Sequence, residues 1–183
     1  RVTVIEGDAK AYARLRAVRP DLVFNICEGF QGPNREAQIP LICELLGLPY
    51  TGSDALTLSL CLDKSRSKEI LAYHRIPTPA FLVADANLPR RRLEGFPLPA
   101  IVKPVREGSS MGIRNNSLVT NRRQLRRRAQ EIERVYHQPA LVESFLPGRE
   151  FTVGALGNAP DYEILPIVEI NHRALPAGAN PIY

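Results

Sequence analysis

Lys103 closes an apolar run and is followed by a pliable loop: residues 99–113 read "PAIVKPVREGSSMGI". An ammonium group at the end of a buried strand, followed by backbone N–H groups that glycine leaves sterically open, suits a phosphate. The segment is not a Walker A loop, because G-K-[ST] is absent and the lysine precedes the loop. Taken alone, it reads equally well as an ordinary strand-to-loop junction with a snorkelling lysine. Further groups follow the same theme. "LDKSRSK" places Lys64 and Lys68 one helical turn apart, and "VESFLPGREFTVG" places Glu143 and Glu150 around a turn.

These residues need elements to hold them. "VTVIEG" (2–7) reads as a strand, "DAKAYARLRAVRP" (8–20) as a helix with Asp8 as N-cap and Tyr12, Leu15 and Val18 on one side, and "DLVFNIC" (21–27) as a continuous apolar strand. That order predicts a parallel βαβ unit buried on both faces. A helix over 35–47 carries Pro40 near its first turn and is closed by Gly47. From Asp54 a helical segment runs to Arg75, where "IPTP" stops it. "AFLVAD" (80–85) and "PAIVKP" (99–104) are strands, separated by the polar connection 86–98. After the glycine–serine loop come a basic helix (121–137) and strands within "PALVESFL", "REFTVGALG" and "YEILPIVEI", predicting an antiparallel sheet. The chain changes character near residue 54, from an α/β unit to an α+β one.

Composition narrows the function classes. The 183 residues are 44% hydrophobic, enough for a real core, yet every apolar stretch is broken by charge or proline. Neither a membrane span nor a signal peptide is expected, and the chain reads as soluble. Cys27, Cys43 and Cys61 are widely spaced in apolar settings, which predicts buried reduced thiols rather than a zinc site. Arginines cluster at Arg90–Arg92 and along 121–137. In the second cluster Leu125, Ala129, Ile132 and Tyr136 share a helical face, so the arginines are expected on the solvent side; no aromatic residues interleave with them to suggest nucleic-acid binding. His74, His137 and His172 are expected at the surface. The opening "RVTVIEGD" and the closing "ANPIY" read as parts of a longer protein.

Six stretches, "FNICEG", "LPYTGSD", "LDKSRSK", "RIPTP", "IVKPVREGSSMGI" and "VESFLPGREFTVG", occur in an order that resembles the ATP-grasp superfamily, specifically the D-alanine–D-alanine ligase family. The resemblance implies a partial ATP-grasp fold of mixed α/β and α+β class. A Rossmann-like pre-ATP-grasp portion would occupy residues 1–54, and ATP-grasp subdomains residues 55–183. It implies an ATP-dependent carboxylate–amine ligase: one substrate's carboxylate is phosphorylated, and a second substrate's amine attacks the acyl phosphate. A non-enzymatic nucleotide-binding or regulatory module on a degenerate core is the alternative.

By that resemblance Lys64 and Lys103 contact phosphates, Lys103 with a catalytic role as charge develops on the moving phosphoryl group. Glu143 accepts from the adenine amino group, the backbone at Phe145 and Leu146 holds the purine edge, and Glu150 takes the ribose hydroxyls. Ser109 and Ser110 belong to the loop that closes over the phosphates, and Ser109 also helps to orient substrate. Glu28 stands where the family usually has histidine, and would draw a substrate ammonium. The magnesium ligands are expected beyond residue 183, so none is assigned within the chain, and the 183 residues alone are expected to be inactive. The resemblance further implies small amino-acid-like substrates, a cytoplasmic location, a role in cell-wall precursor synthesis and a homodimer.

Overall fold

The computed structural model describes residues 1–85, 88–176 and 178–182. Ala86 and Asn87 of the polar connection, and Tyr183 of the closing segment, lie outside the described residues.

The first part departs from expectation. Neither 2–7 nor 21–27 is a strand; among the described residues this region has one parallel bridge, Val23 to Tyr50, where Val23 N donates to Pro49 O and Thr51 N to Val23 O. A parallel apolar strand is stable when both faces are covered. Here Val2, Val4, Phe24 and Ile26 are each at least 75% exposed. Helix α1 (Ala11–Val18) buries Ala11 and Leu15, while Tyr12 and Val18 are exposed, so its inward stripe is narrower than read. Asp8 stands ahead of the cap position, where its Oδ1 accepts from Lys10 N and from Arg14. Helix α2 (Gln38–Leu46) has Pro40 in its first turn and ends at Gly47, whose φ of 65° is the left-handed value that glycine adopts without strain. Ala11, Leu15, Ile39, Cys43 and Leu48 form a small core between these helices.

The segment after Asp54 is two helices, α3 (Ala55–Leu62) and α4 (Lys64–Tyr73), rather than one. Asp63 makes the break. Its backbone is extended (φ −84°, ψ 94°), and its carboxylate accepts from the Ser65 and Arg66 amides, so it serves as the N-cap of α4.

A four-stranded antiparallel sheet then forms from β1 (Phe81–Ala84), β2 (Ala100–Pro104), β3 (Leu118–Val119) and β4 (Ala140–Ser144), in the spatial order β1-β4-β2-β3. Arg90–Gly95, read as connection, is a short helix α5. Helix α6 (Arg122–Tyr136) covers one sheet face. Strand alternation decides the rest. Leu82, Ala84, Ala100, Val102, Ala140 and Val142 pack against Leu125, Ala129 and Ile132 in the main core. The intervening residues Phe81, Ile101, Lys103, Leu141 and Glu143 therefore share the opposite face.

Not every arginine of α6 faces solvent. Arg128 is 3% exposed, donates to Gly112 O and Ser117 Oγ, and pairs with Glu131, tying the helix to the end of the glycine–serine loop. Beyond β4, β5 (Glu150–Thr152) pairs with β8 (Val168–Ile170), and β6 (Ala155–Asn158) with β7 (Asp161–Ile164), as two separate antiparallel pairs. Cys43 is buried and Cys27 partly so, whereas Cys61 is exposed, contrary to expectation. Among the described residues no helix is long and apolar enough to cross a membrane.

Candidate functional site

Glu143 organises the open face of the sheet. Its register partners are Phe81 on β1 and Ile101 on β2, and Lys103, two residues beyond Ile101, lies diagonally across from it. Lys103 Nζ forms an ion pair with Glu143 Oε2, while Lys68 Nζ, arriving from α4, lies 2.8 Å from Oε1. Glu143 is 8% exposed. Burial alone would raise its carboxyl pKa, but Lys103 and Lys68 outweigh that and hold it below the ordinary value.

Lys64, the first residue of α4, completes a cationic group. Its Nζ donates to Val105 O (3.4 Å) and to Glu107 O at the root of the loop. Burial, and then repulsion from Lys103, push its pKa down, against the pull of Glu107, Glu143 and Glu36. A lysine whose charge is opposed by burial and by a neighbouring cation is poised for an anion.

The loop between Val105 and Ile113 is tightly folded. Ser109 and Ser110 adopt left-handed φ values of 46° and 58°, sparsely populated by residues with a Cβ. Met111 N donates to Gly108 O and Ile113 N to Ser110 O. Gly112 has φ 78°, and a Cβ there would lie 2.6 Å from Pro104 Cγ, so only glycine fits. At the root, Arg35 donates to Arg106 O and Glu107 Oε2, Gln138 bridges Glu107 and the Arg106 amide, and Arg106 Nε lies 2.9 Å from Asp63. At the tip, Ser109 Oγ donates to Glu28 Oε1 at 2.6 Å. The two residues assigned to substrate thus meet although 81 positions apart.

Phe145 N donates to Pro99 O, and the next residue, Leu146, is exposed. Glu150 is placed on β5, where its Oε2 is 2.8 Å from His172 Nε2. His172 is only 16% exposed, unlike the surface position expected. A cleft of about 790 Å³ lies beside this pair, lined by Gly148, Arg149, Glu169 and 170–173, and by none of the lysine group.

Sequence reasoning placed Lys64, Lys103 and Glu143 in one site, and the structure brings them together. It missed the burial of Lys68, the partly buried His172 and the Arg35–Glu107 anchor, none of which local spacing announces. Among the described residues no group of three or more His, Cys, Asp or Glu is arranged to hold a metal ion.

The chain belongs to the D-alanine–D-alanine ligase family: residues 69–175 match the family described as D-ala D-ala ligase C-terminus. It is 38% identical over 157 residues to a D-alanine–D-alanine ligase of Chromohalobacter salexigens, covering 85% of this chain and 47% of that relative. Among solved structures, it resembles the D-alanine–D-alanine ligase of Coxiella burnetii with a TM-score of 0.69 at 26% identity, covering 82% of this chain and 44% of that one. It also resembles the Bacillus anthracis enzyme complexed with ATP, with a TM-score of 0.66 at 27% identity, covering 91% of this chain and 54% of that one. The fold is thus that of the ATP-grasp ligases, and the chain spans about half the length of the relatives it matches.

Proposed function

We propose that these residues form the nucleotide-binding part of an ATP-dependent ligase that joins an amino-acid carboxylate to an amine. The observation that carries this reading is the convergence of Lys64, Lys103 and Glu143 on one sheet face beside the glycine–serine loop. ATP would supply the phosphoryl group that turns a poor carboxylate leaving group into a good one. Lys64 and Lys103 would hold the polyphosphate, whose negative charge would offset the repulsion between the two ammonium groups. Glu143 would accept from the adenine amino group, Phe145 and Leu146 would flank the purine, and Glu150 would accept from the ribose hydroxyls. Ser110 and the loop backbone would cover the phosphates. Glu28, held by Ser109, would present its second oxygen to a substrate ammonium.

Relatives similar over most of the chain are named as ligases, so the non-catalytic alternative is not favoured. Magnesium belongs to this reading as a partner of the polyphosphate, held outside the described residues. The reading puts the reaction in the cytoplasm, where ATP is available, and makes small D-amino acids the first substrates to test.

The test is amino-acid-dependent phosphate release from ATP by the full-length polypeptide. Lys103→Ala is expected to weaken ATP binding and to lower turnover by about 100-fold or more, the scale at which losing a transition-state charge partner is felt. Unchanged kinetics in that variant would overturn the assignment.

A further inference from the structure

Lys68 is a lysine that almost no solvent reaches. It is 6% exposed, and its ammonium has three fixed partners: Glu143 Oε1 at 2.8 Å, Thr78 Oγ1 at 2.6 Å and the Phe81 ring at 5.3 Å. Lys103, on the other oxygen of the same carboxylate, has a side chain 21% exposed, against 8% for that of Lys68. The two cations are therefore not equivalent. One is clamped by a hydroxyl and an aromatic face as well as by the carboxylate; the other is nearer to solvent and to the loop.

We infer that Lys68 is a positioning residue, the permanent counter-ion that keeps Glu143 in place while Lys103 exchanges its hold on that carboxylate for the incoming polyphosphate. The inference rests on the proposed nucleotide site and gives it a sequence of events. If Lys103 were the sole partner, its departure would leave a carboxylate that is 8% exposed without a cation, a state costly enough to hold Lys103 back or to turn Glu143 away from the base. With Lys68 in place the departure leaves a carboxylate still paired. Oε1 stays fixed by Lys68 and Oε2 becomes free to accept from the adenine amino group. Thr78 and Phe81 serve the arrangement by denying Lys68 any other position.

The experiment compares binding of ATP and of inosine triphosphate, whose base has an oxygen where adenine has its amino group, to the full-length polypeptide. The unaltered protein is expected to prefer ATP by about tenfold or more, the factor that a hydrogen bond to a charged group carries. Lys68→Met is expected to bring that preference to within about twofold, and Thr78→Val, which removes one clamp without removing the charge, to an intermediate value. Lys103→Ala is expected to weaken both nucleotides by a similar factor and to keep the preference. A structural role for Lys68 would weaken both nucleotides together and leave their ratio unmoved. Thr78→Val gives the answer if Lys68→Met fails to fold. A preference that survives undiminished in whichever of the two variants folds overturns the inference alone; equal binding of the two nucleotides by the unaltered protein overturns the reading of Glu143 and the inference with it.

Discussion

The two candidate carboxylates differ in how firmly they are held. Glu143 is buried between two lysines, whereas the Glu150 side chain is 42% exposed and has His172 on one oxygen only. A carboxylate so placed can accept from a ligand hydroxyl with its other oxygen, at little cost in desolvation. Glu150→Ala is accordingly expected to raise the KM for ATP by about tenfold while leaving kcat within about twofold, because a ribose contact made equally in ground and transition states is uniform binding. Steady-state kinetics at varied ATP checks this; a fall in kcat with KM unchanged would assign Glu150 to the chemistry instead. At this scale Lys103 was legible, since an apolar run that ends in lysine before a glycine-rich loop sets a cation beside open backbone amides. The burial of Lys68 was not, because lysine is ordinarily a surface residue and nothing nearby in the chain names the distant Glu143 as its partner. Arg128 escaped for the same reason: its burial depends on Gly112 O and Ser117 Oγ, acceptors from another segment.

Elements, in turn, are set by caps and alternation. The sheet strands were readable from their period of two, which also sends Lys103 and Glu143 to the face opposite the core; a one-residue slip would have buried both charges under α6. The break between α3 and α4 was hidden inside a continuous helical pattern, and Asp63 is its cause. The carboxyl of Asp63 would be raised by burial, but the Ser65 hydroxyl, the Arg66 amide and Arg106 overcome this and hold it below the ordinary value. A group with a lowered folded-state pKa contributes stability above its unfolded pKa and loses it as pH falls through the folded one. Asp63→Ala is expected to cost about 1–2 kcal/mol, the range for losing an N-cap. Asp63→Asn, which can still cap, should cost less, and its deficit relative to the unaltered protein should shrink below about pH 4. Urea unfolding across pH measures both; a deficit that grows in acid would contradict the account.

At the scale of the whole molecule, the loop is where separate parts of the chain meet. Arg35 reaches the loop root from the segment before α2, Gln138 from the segment before β4, Asp63 from the break between helices, and Glu28 meets the loop tip. Two hydrophobic clusters form, one around α1 and α2 and one beneath the sheet. Helix α3, which packs on the 35–37 turn and on α2 as well as on α4, joins the two sides. That organisation was partly legible, since the order of motifs fixed the fold class. The expected opening strands did not form, because a parallel strand is completed by neighbours that local pattern cannot supply. The central claim, that the assembled site activates a carboxylate with ATP, has a direct test. With an amino-acid substrate labelled with ¹⁸O in its carboxylate, the full-length polypeptide and ATP should release inorganic phosphate carrying one ¹⁸O for each amide bond formed, as an acyl phosphate requires. Phosphate released without label would contradict the account.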